Sequence, residues 1–447
     1  MPALRRKNKS PGAVLVALSL AVAGTAVLAQ DFPLPKADAV FPAFPADQVQ
    51  LGQMLFYDPI LSGNRNVACA TCHNPRFGTS DGVSLGIGDG GIGLGPDRRP
   101  DPANPPERRI ARNSPSLFNL GAAGFRSLFH DGRLESDPAR PGGIRTPMGE
   151  AMEQGFHSVL AAQAMFPVLA ADEMAGHRGE NDVSKAVSRG LITGPGGAWD
   201  IIAKRVSGIP EYRQGFDAVI GRGQPVRFTN IANAIAAFVA TEWRADNSPF
   251  DRYLRGEGDL SPSALRGMEL FYGPAGCAAC HSGQFQTDHA FHAIAMPQIG
   301  PGKAAEFENH HRDEGRLRVT GHPEDAYRFR TASLRNITRT APYGHDGAYS
   351  TLTGVIRHHL DPVASLKTYG LASAVLPDMQ GIRDDWVMSR PDEIAAIAAA
   401  NELAPKALAK DEVSDLAAFL RALEDPGSLA GRLGIPDQVP SGLPVPR

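Results

Sequence analysis

The residues best placed to do chemistry are Cys69, Cys72 and His73, whose pattern recurs as Cys277, Cys280 and His281. Cys-x-x-Cys-His is the attachment signal for c-type haem. Its two thiols add across the porphyrin vinyl groups, and the adjoining imidazole reaches the iron. The two motifs use all four cysteines, leaving none for a disulfide or a free thiol. Redox dithiols and zinc sites draw on the same residue types. A zinc site wants four clustered ligands, however, and a redox motif has no need of histidine in fifth place twice. The pattern reads as two covalently bound haem c groups.

Two haems on one chain raise the question of how they differ. An iron with two protein ligands passes electrons, whereas one with an open sixth position can also bind and activate an oxidant. In the second half, His359 stands fourteen residues beyond His345, beside His358, on a predicted helix over residues 351–360. It is the candidate distal ligand of the second iron, with Met296 its rival. The equivalent place after His130 is Ile144, which cannot ligate, and no histidine lies between His73 and His130. The first iron is expected to be open, with Met148, Met152, His157, Met165, Met174 and His177 as the residues that could close it.

The elements that hold these groups are mainly helical. Asp47 is expected to cap a helix carrying Leu51, Leu55 and Phe56 into the first motif. Ser261 and Pro262 start the matching helix before the second. Gly52-x-x-x-Phe56-Tyr57 and Gly267-x-x-x-Phe271-Tyr272 align. Downstream, Arg112 to Asn119 resembles Arg330 to Asn336, and His130-Asp131-Gly132 resembles His345-Asp346-Gly347. Ordered landmarks in both halves predict a duplicated haem-binding unit. The fold expected is mainly α, with two cytochrome c-like haem domains and long irregular loops from 37 prolines and 48 glycines. Further helices are expected over Thr229–Glu242, with one apolar face, and over 411–424. Asp246–Ser261 reads as the connector between domains 30–245 and 246–430, and 431–447 as a flexible tail. Gly86-Ile87-Gly88-Asp89-Gly90-Gly91 imitates a dinucleotide fingerprint but lacks the flanking strand and helix, so it reads as a loop.

Residues 1–29 have the layout of a secretory signal peptide: Arg5, Arg6, Lys7 and Lys9, an apolar run, then Val27-Leu28-Ala29. Retention as a membrane anchor is the alternative. Its removal takes the net charge from −3 to −7. A mildly acidic body offers no footprint for nucleic acid and suits a basic protein partner. Periplasmic export fits haem attachment outside the cytoplasm.

Leu51-Gly52-x-x-Leu55-Phe56-Tyr57-Asp58-Pro59 leading into the first motif, Arg112-Asn113-x-Pro115, Phe129-His130-Asp131-Gly132-Arg133 and Thr340-Ala341-Pro342-Tyr343-x-His345-Asp346-Gly347 together resemble the bacterial di-haem cytochrome c peroxidase family, which includes MauG. The likeness runs from about residue 40 to 425. It implies a peroxidatic first haem and an electron-relay second haem. It also implies Glu173 as the acid–base residue and Gln163 as its distal hydrogen-bonding partner, with Glu150 the rival carboxylate. Peroxide cleavage needs a proton moved from one oxygen to the other, a task for a carboxylate within reach. A calcium ion is implied at Asn113 and the Thr340 and Pro342 carbonyls.

Three departures qualify the likeness. The loop that carries a removable distal histidine in the peroxidases has none here. His130 replaces the tryptophan expected between the haems. His359 stands where the relay haem usually has methionine, or tyrosine in MauG, which should lower that haem's potential. The expected activity is reduction of hydrogen peroxide with electrons from a small cytochrome c or cupredoxin. MauG-like oxidation of a protein substrate and plain electron carriage are the alternatives, and assembly as a homodimer is left open.

Overall fold

The computed structural model describes Pro2 and residues 32–36, 38–303 and 307–447. Apart from Pro2, the expected leader at 1–29 lies outside the described residues. Helices dominate, as expected. Strands are two or three residues long and form three small antiparallel ribbons. In one of them Phe291–His292 pairs with Phe329–Arg330, Phe291 opposite Arg330.

One helix crossing occurs twice, once in each half. Ala46–Tyr57 crosses Phe228–Glu242, and Pro262–Tyr272 crosses Lys410–Arg421. Glycine lets the backbones touch. A Cβ on Gly52 would strike the Ala234 carbonyl and stand 2.9 Å from Phe238 Cβ. On Gly267 it would strike the Asp415 carbonyl and stand 2.9 Å from Phe419 Cβ. Phe56 then meets Phe238 at 5.4 Å between ring centroids, and Phe271 meets Phe419 at 5.1 Å.

A second device also repeats. Asn119 and Asn336 both take the left-handed conformation, which asparagine tolerates better than most residues. Asn119 Oδ1 accepts from Ala245 N, and Asn336 Oδ1 accepts from Asp425 N, each at 2.7 Å. Each asparagine thereby clamps the chain just after the second helix of its crossing. The His-Asp-Gly landmarks reach across to the opposite half. Arg316 Nη1 donates to Gly132 O at 2.9 Å, and Ser84 Oγ donates to Gly347 O at 2.6 Å.

Several local expectations shift. Pro45 occupies the cap position of the first helix, so Asp47 falls in its first turn, where a carboxylate still complements the helix dipole. Ser261 caps the second as expected, accepting from Ala264 N. The Phe228–Glu242 helix is buried on nearly every side, because it is the centre of the N-terminal core and not a one-faced surface helix. Asp246–Ser261 holds a helix, Pro249–Leu254, whose Ser248 and Asp251 form a capping box that Arg335 Nη1 completes at 2.7 Å from Asp251.

Residues 431–447 correct the expectation of a flexible tail. Val439 is buried, Glu242 accepts from Leu433 N and Gly434 N, and Ser441 Oγ donates to Asp58 at 2.6 Å. Proline and glycine are frequent there because the segment turns across the N-terminal core, satisfying two buried carboxylates as it goes.

Candidate active site

Both attachment motifs are built alike. Cys69–Cys72 is one short helical turn and Cys277–Ala279 a 3-10 turn. His73 N donates to Cys69 O and His281 N to Cys277 O, both at 2.9 Å. The imidazoles are then fixed through Nδ1, which lies 3.0 Å from Thr79 O in His73 and 3.0 Å from Gln286 O in His281. That leaves Nε2 of each ring available to bind a metal. Burial pushes both histidines below their ordinary range, His281 to about 4, so each stays neutral, the ligating form. Burial also pushes the Cys69 and Cys72 thiols up to about 12 and the Cys277 and Cys280 thiols up to about 11. The residues present fit two covalently attached haems.

Opposite His281 stands His359, their ring centroids 6.2 Å apart. Two imidazoles at that separation can share one metal ion bound at about 2 Å from each nitrogen. His359 Nδ1 is tied to Val355 O at 2.8 Å, again leaving Nε2. His358 is different, with both nitrogens engaged: Nδ1 lies 3.0 Å from Tyr349 Oη and Nε2 lies 2.8 Å from Ile294 O. Met296 packs among Tyr343, Ala348, Tyr349 and Val355.

Around Cys72 the surroundings are of another kind. Glu173 lies in the five-residue turn Ala171–Ala175. Burial chiefly raises the Cys72 thiol, and the Asp81 and Glu173 carboxylates add to it, so the Glu173 charge acts on the first motif. Arg133 stacks on the Phe129 ring at 4.0 Å, and Phe166 meets the same ring edge-on. Gln163 lies in the last turn of the Val159–Ala164 helix, and its buried Oε1 has no hydrogen-bond partner. Glu150 is remote in character, an exposed carboxylate 3.8 Å from Arg140. Met152, Met165 and Met174 are committed to the N-terminal core.

Between the motifs, Asn113 N donates to His345 O at 2.9 Å, drawing Asn113 toward the 340–345 loop. Asn113 Nδ2 donates to Val83 O at 2.8 Å, which leaves its Oδ1 as the acceptor. Asn113 Oδ1 and the Thr340 and Pro342 carbonyls are oxygen donors of the kind calcium takes. His130 Nε2 lies 3.1 Å from Asn113 O, and burial, with Arg112 beside it, holds the ring down to about 4. Where the resemblance expects tryptophan there is thus a neutral imidazole. Arg112 grips Asp313 through Nε and Nη2 at 2.6 and 2.8 Å, and Asp131 through Nη1 at 2.7 Å.

The family model for di-haem cytochrome c peroxidases matches residues 46–259. MauG of Methylorubrum extorquens is 31% identical over 335 residues, spanning 74% of this chain and 72% of that protein. The chain belongs to the di-haem cytochrome c peroxidase family. A cytochrome c551 peroxidase of Nitrosomonas europaea is 30% identical, over 76% of this chain and 80% of that one. A solved MauG-like protein associated with microbial copper homeostasis superposes with a TM-score of 0.58 at 26% identity, covering 91% of this chain and 97% of that one. The chain is accordingly a peroxidase-type haem oxidoreductase.

Within that family setting, three features escaped the sequence. Arg133 was legible as the residue after His-Asp-Gly but carried no assigned role. Lys303 comes from the other half of the chain; burial lowers its pKa, Arg133 adds to the effect and Glu173 opposes it, so the three charges are coupled. No local signal marks such a residue. The Gly86–Gly91 loop, set aside as a false fingerprint, has a structural reason of its own. A Cβ on Gly88 would strike the carbonyls of Asp172 and Glu173, and Arg98 clasps the loop by donating to Ile87 O, Gly88 O and Gly93 O. The loop is the floor against which the Glu173 backbone rests.

Proposed function

We propose that this chain is a periplasmic peroxidase that reduces hydrogen peroxide to water. Electrons from a small cytochrome c or cupredoxin enter at the C-terminal haem and are used at the N-terminal one. The inequality of the two histidine surroundings carries this reading. His281 has an imidazole partner at 6.2 Å, whereas the first motif feels the Glu173 charge, itself coupled to Lys303 and Arg133. In this reading Cys69, Cys72, Cys277 and Cys280 would anchor two haem c groups, His73 would hold the first iron, and His281 with His359 would hold the second. The haem irons supply the oxidant-binding position and the reducing electrons. Glu173 takes a proton from one peroxide oxygen and returns it to the departing one, and the unpartnered Gln163 acceptor orients the oxidant. Arg133 and Lys303 balance the carboxylate charge.

Calcium at Asn113, Thr340 and Pro342 would tie the 340–345 loop to the first half. The repeated glycine crossing and asparagine clamp support a duplicated unit, with the halves meeting in the 246–261 segment. No described helix is long and apolar enough to cross a membrane, and the leader at 1–29 supports export. Steady-state oxidation of a reduced cytochrome c, and separately of a reduced cupredoxin, by hydrogen peroxide tests the reading. Turnover with neither donor rejects it. The 31% identity to MauG favours a second reading, oxidation of a protein substrate, while neutral His130 opposes it. A mass increase in a co-purifying protein after peroxide treatment is its signature.

A further inference from the structure

Behind the Glu173 segment, two chain segments bring Asp89, His177 and Glu180 together. One ligand atom from each lies within 4.8 Å of the other two. Asp89 sits on the glycine loop and is wholly buried. Its Oδ2 accepts from Asn64 Nδ2 at 2.9 Å, and its Oδ1 has no hydrogen-bond partner. His177 has a buried Nε2, also without a partner, while its Nδ1 lies 3.7 Å from Glu107. Glu180 Oε2 accepts from Asn64 Nδ2 at 2.7 Å and from His177 N at 2.9 Å.

The Asn64 amide cannot turn to relieve this arrangement. Its Oδ1 accepts from Asn181 Nδ2 at 2.9 Å, so its NH2 group must face both carboxylates. Gly176 keeps the space clear: a Cβ there would stand 2.8 Å from Asn64 Nδ2, Asn181 Nδ2 and Glu180 Oε2. Burial raises the Asp89 carboxyl and the neighbouring Glu180 charge adds to it, with the Asn66 and Asn64 amides and His177 opposing. Two carboxylates and a sealed, unsatisfied imidazole nitrogen are what a bound cation would resolve.

We propose that Asp89, His177 and Glu180 bind a divalent transition-metal ion of the zinc class. One imidazole and two carboxylates suit such an ion, with a water completing the set. The ion would pin the segment running from Glu173 to Glu180 against the glycine loop. The site is separate from the Asn113 loop and from both attachment motifs. The other cluster of this kind, Cys280, Asp288 and His292, is different: Cys280 belongs to an attachment motif, and His292 is already paired with Asp288 and Glu402.

The test is equilibrium dialysis of the calcium-saturated holoprotein against zinc, with bound metal counted by mass spectrometry. The wild type should hold one zinc that Asp89→Asn and His177→Ala each weaken at least tenfold. His322→Ala, at an exposed histidine, should change nothing. Should His177→Ala fail to fold, Glu180→Gln at the surface takes its place. X-ray absorption of the zinc-loaded wild type should show one imidazole among oxygen scatterers at about 2.0–2.1 Å. Equal zinc affinity in wild type and variants, or a sulfur-containing shell, overturns the proposal.

Discussion

Replacing Glu173 by glutamine isolates its proton chemistry from its shape. The backbone of the Ala171–Ala175 turn is fixed from outside, by the Gly88 approach and by Gly63 N donating to Met174 O at 2.7 Å. The isosteric amide therefore stays where the carboxylate was, but can neither accept a proton nor return one. General acid–base assistance of this kind is worth about 10²–10⁴ in rate, or roughly 3–5 kcal/mol of barrier. A second consequence concerns charge. Arg133 and Lys303 lose the carboxylate they face, and the Lys303 amine, already lowered by burial, falls further. Stopped-flow mixing of the oxidised and reduced forms with hydrogen peroxide should show cleavage slowed by at least about a hundredfold, with the resting haem spectra unchanged. Glu150→Gln, at an exposed carboxylate, serves as the matched control and should behave as wild type. A Glu173→Gln rate within about threefold of wild type would refute the acid–base role.

The histidine pair separates by function. His359→Ala should convert the second haem to a high-spin ferric signal in resting paramagnetic resonance, whereas His358→Ala should keep the wild-type spectrum. Losing its contacts to Tyr349 and Ile294 should instead lower stability by about 2–4 kcal/mol in urea unfolding. Burial pushes Asp313 up, but Arg112 more than reverses this and holds it below the ordinary carboxylate range. The resulting stabilisation is complete above the unfolded value near 4 and fades as pH falls toward the folded one. Asp313→Asn should thus lower stability by about 3–5 kcal/mol at pH 7, with a gap to wild type that narrows below about pH 4. Deleting residues 431–447 exposes the Val439 contact and strips donors from Asp58 and Glu242, so the melting temperature should drop by several degrees; an unchanged transition would mean the segment is not held.

How much of this was legible in the chain depends on the range of the physics. Cys-x-x-Cys-His is a local code, and so are Ser261 with Pro262 and the Gly52 and Gly267 helices, because a cap or an apolar stripe is written within a few residues. The choice between His358 and His359 was written only in part. Adjacent residues on a helix point about 100° apart, and which face meets His281 is set by Tyr349 and Ile294. The loose tail misled because proline and glycine frequencies measure turning, and a turning segment can still be seated when two buried carboxylates await its amides.

By itself the sequence marked two haem-attachment motifs, Cys69-x-x-Cys72-His73 and Cys277-x-x-Cys280-His281, and a set of landmarks that recurs in order in both halves. Tertiary structure alone decided what surrounds each motif: that the Lys303 charge, from the second half, is coupled to Glu173, that Gly88 packs against the turn carrying Glu173, and that Asp89 and His177 meet. The physical reason is separation along the chain. A covalent attachment site needs only neighbours in sequence, while much of the charge and packing around it comes from residues far away along the chain.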